Sequence, residues 1–340
     1  MLPSFAGLFI LPDPTGQFGM TFDQIIGHQQ QKDIFRRAIQ SGRLAHAYLF
    51  EGPEGVGKKL MATAIARALC CHEQVGCGSC AACRKIDHRN HPDMHLVDPE
   101  GNGIKIEQIR RLIRELNYRP VEARKKICII DQADSMNQAA GNALLKTLEE
   151  PPGDAVLILL SSHPERLLPT IRSRCQRVAF QRLAQQQVLE VLNEQLGIDE
   201  QEASVLAAVS EGSFARIATR DREGFSALRN EVFSWFSNGS LADAAPRMRL
   251  AEELDRRKED IPGIVEVLQT LYRDALHLIL GRGDKAANVD ATAIITQLAG
   301  QETALSLLDK ISALDSARRQ LEHNVNRQLA LNVLLERLAA

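Results

Sequence analysis

Residues Ala45–Leu69 read AHAYLFEGPEGVGKKLMATAIARAL: an apolar run, a turn holding Gly52, Gly55 and Gly57, then a stretch with helical spacing. That order suits a buried parallel strand that hands the chain to a covering helix. Four more apolar runs repeat the theme: MHLVDPEG (Met94–Gly101), KICIIDQAD (Lys126–Asp134), AVLILLSSHP (Ala155–Pro164) and QRVAF (Gln176–Phe180). Their continuous rather than alternating apolar character is what a strand covered on both faces requires. The expected fold is therefore an α/β domain built on a parallel five-stranded sheet. Between the runs, Leu60, Ala64, Ile65, Ala68 and Leu69 share one helical face, and Ile106, Ile109, Leu112, Ile113 and Leu116 share another.

After Gln181 the strands stop. QQQVLEVLNEQLG and DEQEASVLAAVSEGSFARIA predict short helices in a small domain over 181–224. From 225 to 340 the pattern is helical throughout, with apolar stripes in IVEVLQTLYRDALHLIL and LEHNVNRQLALNVLLERL and a loop at Gly281–Asp290. The first nineteen residues, rich in Pro and Gly, are expected to be a flexible extension, with the choice between Met1 and Met20 as the natural start left open. They carry no Lys or Arg before Pro12, so they lack the charged opening of a secretory signal.

No apolar run reaches 18 residues, which argues against a membrane span. Seven cysteines without a leader point to a reducing, cytoplasmic setting. Aromatics at 4% exclude a stacking platform for single-stranded nucleic acid, and a net charge of -2 excludes a global basic footprint. Any nucleic-acid contact must be local or shared. Lys105, Arg110, Arg111 and Arg114 of KIEQIRRLIREL form either a solvated helical face or a set of phosphate contacts, with the choice open.

The turn GPEGVGKK lies one residue from the P-loop pattern G-x-x-x-x-G-K-[ST]. Gly52, Gly55 and Gly57 can open backbone N–H groups towards a phosphate, and Lys58 can reach its outer oxygens. Lys59 stands where a hydroxyl should ligate Mg²⁺, and an ammonium has no lone pair to offer. ICIIDQAD resembles the Walker B strand of AAA+ ATPases; Asp131 keeps the metal carboxylate, and Gln132 replaces the glutamate that polarises water. An amide cannot take that proton. Both losses fall in one reaction centre, so a degenerate nucleotide site is expected, with ATP or ADP bound weakly or not at all.

Cys71, Cys77, Cys80 and Cys83 follow the spacing C-x5-C-x2-C-x2-C, which suits tetrahedral Zn²⁺ in a closed, structural site in an insertion at about 70–84. Cys70 competes with Cys71 for the first place. Cys128, within a strand, and Cys175, beside an arginine, are expected to be buried and metal-free.

A thiol cluster placed straight after a P-loop helix, with HAYLFEGPEGVGKK, NALLKTLEEPP (Asn142–Pro152) and SRC (Ser173–Cys175), resembles the AAA+ clamp-loader subunits of bacterial DNA polymerase III. The likeness runs from Met20 to the C-terminus and is strongest in the first 180 residues. It implies an AAA+ P-loop domain over 20–180, a helical lid over 181–224 and an all-α collar over 225–340. It also implies a hetero-pentamer with gamma/tau and delta subunits that loads a sliding clamp on primed DNA. In that family the Ser-Arg-Cys arginine, here Arg174, enters the neighbour's ATP site as an arginine finger. The motor line keeps Lys-Thr, Asp-Glu and a sensor arginine after Gly-Ser. This chain has Lys58-Lys59, Asp131-Gln132, and Ala215 with Arg216 one position late. The pattern fits a stator line that donates Arg174 and spends no nucleotide; the alternative is a gamma/tau-like ATPase. Ser161 and Ser162 fall at the family's first sensor, with the choice between them open.

Overall fold

In the computed structural model the described residues are 21–339, apart from 102, 152–153, 195, 214–216, 218–221, 242 and 322–325. The expected extension 1–19 and the sensor positions Ala215 and Arg216 lie outside them. The chain forms two compact units: residues through 187 plus the 212–219 segment, and residues 188–211 plus 220–340.

All five strand expectations hold. β1 (Ala47–Glu51), β2 (Met94–Val97), β3 (Lys126–Ile130), β4 (Ala155–Ser161) and β5 (Gln176–Ala179) form one sheet in the order β2-β3-β4-β1-β5, every pair parallel. Alternate residues of each strand serve opposite layers. Tyr48, Phe50, Ile129 and Ile158 meet one apolar cluster with Phe35 of α1 (Gln29–Gln40) and Met61 and Ile65 of α2 (Lys58–Cys70). α3 (Ala81–Asp87) adds Ala82 and Ile86 to that cluster. Leu49, Cys128, Leu157 and Leu159 meet the other cluster with Leu112 of α4 (Ile106–Leu116), Leu144 of α5 (Gln138–Glu149) and Ile171 of α6 (Pro169–Arg172). This is the helix–sheet–helix sandwich that double-sided apolar strands demand.

The helical faces need correction in detail. On α4, Ile109, Leu112 and Leu116 are buried, as the spacing predicts, while Ile106 and Ile113 are half-buried. On α2, Leu60 and Leu69 are half-buried and Arg67 is fully buried. Enclosed by the sheet, α1 and α3, this helix has little solvent face left, so a single-stripe reading fails there.

The second unit is all-helical. The helix Ile261–Ile279 carries Ile264, Val265, Leu268, Leu271 and Tyr272 into a core shared with helices 222–237, 244–256, 292–301, 304–321 and 327–339. The helix Glu200–Ser210 contributes Val205 and Val209 to the same core. Within the LEHNVNRQLALNVLLERL stripe, Asn326 is outside helix and a helix runs Arg327–Ala339. The expected Gly281–Asp290 loop contains a 3-10 turn at Gly283–Lys285.

Candidate functional site

β1 delivers the chain into the glycine turn, and Gly57, with φ 99°, caps α2. Gly52 takes φ 149°, and a Cβ there would stand 2.1 Å from the carbonyl oxygen of Phe180. Only glycine lets the turn pass so close to β5. His28, itself left-handed at φ 51°, braces the turn from α1's N-terminus: its Nε2 lies 2.7 Å from the carbonyl oxygen of Val56. A carbonyl oxygen only accepts, so Nε2 donates to Val56, and burial holds the imidazole below its usual pKa.

Lys58 does not reach outward. Its ammonium donates back to the carbonyl oxygens of Gly52 (2.5 Å) and Pro53 (2.6 Å) and to Ser162 Oγ at 3.2 Å. Burial lowers its pKa, opposed by the nearby carboxylates of Asp134, Asp131 and Glu54. The two serines now separate. Ser162 faces the lysine, whereas Ser161 donates to Asp134 Oδ1 at 2.6 Å.

Lys59 lies where the metal ligand's hydroxyl was expected, and its ammonium bridges Asp98 Oδ1 at 2.7 Å and Asp131 Oδ2 at 2.8 Å. Burial works to lower its pKa, but the two paired carboxylates outweigh it and raise it above the ordinary lysine value. The carboxylate expected to hold Mg²⁺ is thus neutralised by a covalently tethered cation. Gln132 is exposed and left-handed at φ 47°, its N–H donating to Asp131 Oδ1. Around the turn, the two ammoniums of Lys58 and Lys59 face the four carboxylates of Glu54, Asp98, Asp131 and Asp134. A polyphosphate entering here meets an excess of like charge and a lysine already engaged. Beside the turn, Gly52, Pro53, Ser162, His163, Arg177 and Phe180 line a cleft of about 870 Å³.

Asp98 and Asp134 were missed in the sequence. Asp98 sits one residue past β2, and only the neighbour relation of β2 and β3 carries it to Asp131. Asp134 ends the ICIIDQAD motif itself, so the signal was available.

The cysteine loop gathers as its spacing predicts. The sulfurs of Cys71, Cys77, Cys80 and Cys83 lie within 4.8 Å of one another. A tetrahedral zinc with Zn–S of about 2.3 Å places its sulfurs about 3.8 Å apart, so the set fits such an ion with a small contraction. Gly76 (φ 71°) and Gly78 (φ 78°) flank Cys77 and turn the loop back on itself. Backbone N–H groups of Cys77 and Cys83 donate to the sulfurs of Cys71 and Cys80. The Ser79 hydroxyl does the same for Cys77, whose thiol is brought down to about 6. Cys70 instead packs in the apolar core, where burial pushes its thiol up to about 12. Cys128 and Cys175 are both buried, as expected. Arg67 on α2 and Asp87 at the end of α3 form an ion pair beneath this loop.

Arg174 follows α6 at the surface. Its Nη1 donates to the carbonyl oxygen of Thr170 at 3.0 Å, and its Nη2 lies 2.7 Å from Glu149 Oε1 at the end of α5. Lys105, Arg110, Arg111 and Arg114 are all exposed along α4 or at its cap.

Comparison with known proteins bears on all of this. A family model described as DNA polymerase III, delta subunit, matches residues 27–184, and one described as DNA polymerase III, delta subunit, C terminal, matches 224–339. The delta′ subunit of DNA polymerase III from Bacillus subtilis is 34% identical over 300 residues, 87% of this chain and 91% of its own length. The Pseudomonas aeruginosa delta′ subunit is 43% identical over 136 residues, 38% of this chain and 42% of its own. The Bacillus subtilis tau subunit is 34% identical over 199 residues, 56% of this chain and 35% of its own. A Thermotoga maritima gamma subunit-related structure aligns over 88% of this chain and 97% of its own, at 19% identity and a TM-score of 0.45. The tau match covers 56% of this chain, whereas the Bacillus delta′ match covers 87% of it. On that likeness over 87% of its length, the chain belongs to the delta′ subunit family of DNA polymerase III.

Proposed function

We propose that this chain is the stator of a DNA polymerase III clamp loader: it helps load a sliding clamp onto primed DNA and supplies Arg174 to a neighbour's ATP site. One observation carries the reading. Lys59 fills the space between Asp98 and Asp131, while Arg174 keeps its guanidinium at the surface. The groups that would act on this chain's own nucleotide are tied to one another inside the turn, whereas Arg174, held by Glu149 on a different helix, lies half-exposed outside it.

In this reading the Arg174 guanidinium meets charge developing on the phosphoryl oxygens held by the adjacent subunit, a task its planar fork suits. Lys58 retains at most weak ATP or ADP binding, since its three acceptors must first be given up. The four thiolates hold a structural Zn²⁺ that cross-links the loop after α2; the ion supplies no open position for chemistry. Residues 181–224 act as a lid and 225–340 as a collar that joins gamma/tau and delta partners. DNA is met by Lys105, Arg110, Arg111 and Arg114 only within the assembled complex, in the cytoplasm.

The deciding experiment reconstitutes the loader with motor subunits and measures ATP turnover on clamp and primed DNA. Arg174→Ala is expected to depress hydrolysis at the adjacent site by about 10³-fold. Lys58→Ala is expected to leave total turnover unchanged. The reverse pair of results identifies a gamma/tau-like motor instead.

A further inference from the structure

Glu149 ends α5, where a carboxylate meets the negative pole of its own helix, a mildly unfavourable place. The structure supplies a compensating partner: Glu149 Oε1 lies 2.7 Å from Arg174 Nη2. Two further acceptors hold the same guanidinium on its other nitrogen, since Nη1 donates to Thr170 O at 3.0 Å and to Ser173 Oγ at 3.3 Å. Thr170 and Ser173 belong to the arginine's own turn and follow it wherever it goes. Glu149 comes from a different helix, and so ties the guanidinium to the body of the domain.

A guanidinium offers five N–H groups in one plane. These contacts take up Nη1 and one hydrogen of Nη2, which leaves the second Nη2 hydrogen and Nε–H for an incoming oxyanion. We propose that Glu149 is the positioning residue for Arg174. It fixes the plane of the guanidinium on the subunit surface, so that the unused N–H groups meet a phosphoryl group of a neighbouring chain already ordered. The carboxylate stays in place when the phosphate arrives, because the two use different hydrogens. This inference rests on the arginine-finger reading above and names the residue that makes it effective.

The pair is partly solvated, with side-chain exposures of 35% for Arg174 and 50% for Glu149, so its effect is modest. In the reconstituted loader, Glu149→Ala is expected to lower kcat at the adjacent site about two- to fivefold with KM unchanged. Glu149→Gln, which keeps an acceptor oxygen, restores most of that loss. Glu149→Ala adds nothing in an Arg174→Ala background. In the isolated full-length chain, arginine side-chain NMR is expected to show slow rotation about the Arg174 Nε–Cζ bond, made faster by Glu149→Ala. A merely structural role moves neither the kcat-to-KM split nor that rotation.

If Arg174→Ala depresses hydrolysis while Glu149→Ala leaves kcat unchanged, the positioning role is overturned and the finger stands. Faster hydrolysis in Glu149→Ala also overturns it, because the carboxylate then competes with the phosphate. If Arg174→Ala itself has no effect, both readings fall.

Discussion

The ammonium of Lys59 lies 2.8 Å from Asp131 and 2.7 Å from Asp98, bridging carboxylates at the ends of two neighbouring strands. Lys59→Thr returns a hydroxyl to this place and frees both acids. Its expected outcome is a divalent-metal dependence of ADP binding that the parent chain lacks, read by titration calorimetry with Mg²⁺ or with EDTA. All three side chains are partly solvated, so the lost ion pairs cost no more than about 1 kcal/mol of stability.

Asp93 gives an acid-sensitivity prediction. Its residue is fully buried, and its carboxylate accepts backbone N–H groups from Val121, Glu122 and Ala123, each at 2.7 Å. Burial pushes its pKa up, but the three N–H groups prevail and hold it below the ordinary aspartate value. A carboxyl whose folded pKa is depressed stabilises fully above its unfolded pKa, about 3.9, and loses that contribution as pH falls through the lower folded value. Asp93→Asn removes the charge at every pH. Denaturant titration at pH 7 is expected to show a loss of about 3 kcal/mol, and the variant's stability should respond less to acid below pH 4 than the parent's.

The thiol cluster predicts one zinc per chain by elemental analysis. Cys83→Ser is expected to lose the metal and to speed hydrogen exchange over residues 71–87. Cys70→Ser is expected to keep it, because the Cys70 thiol belongs to the apolar core.

Gly52→Ala tests the turn itself. A Cβ at that position meets the Phe180 carbonyl oxygen at 2.1 Å, and φ 149° is costly for alanine as well. The expected loss is about 3 kcal/mol, measured by chemical denaturation.

Particular residues show what the sequence carried and what it did not. The strands were legible because each is apolar on both faces, and the cysteines because C-x2-C spacing is local. Arg67 was not: a cation inside an apolar helix is buried only because Asp87 on α3 arrives to pair with it. Asp98 was opaque for a similar reason, and for Glu149 the sequence placed a carboxylate near a helix C-terminus without revealing its partner Arg174. The first becomes functional through strand order and the second through a partner 25 residues away, and local periodicity encodes neither. The apolar spacing at 321–338 gave the helical character but not the point at which the helix of Arg327–Ala339 starts.

α2 runs from Lys58 at its first residue to Cys70 at its last, with Cys71 directly after it and Arg67 braced on Asp87. The helix is thus a rigid rod with the phosphate-type turn at one end and the sulfur knuckle at the other. An ion held by the four sulfurs of the knuckle would brace that end of the rod, and its loss would slacken it. Partly demetallated preparations would then differ in how firmly Lys58 is seated, so metal occupancy must be matched before nucleotide affinities of variants are compared.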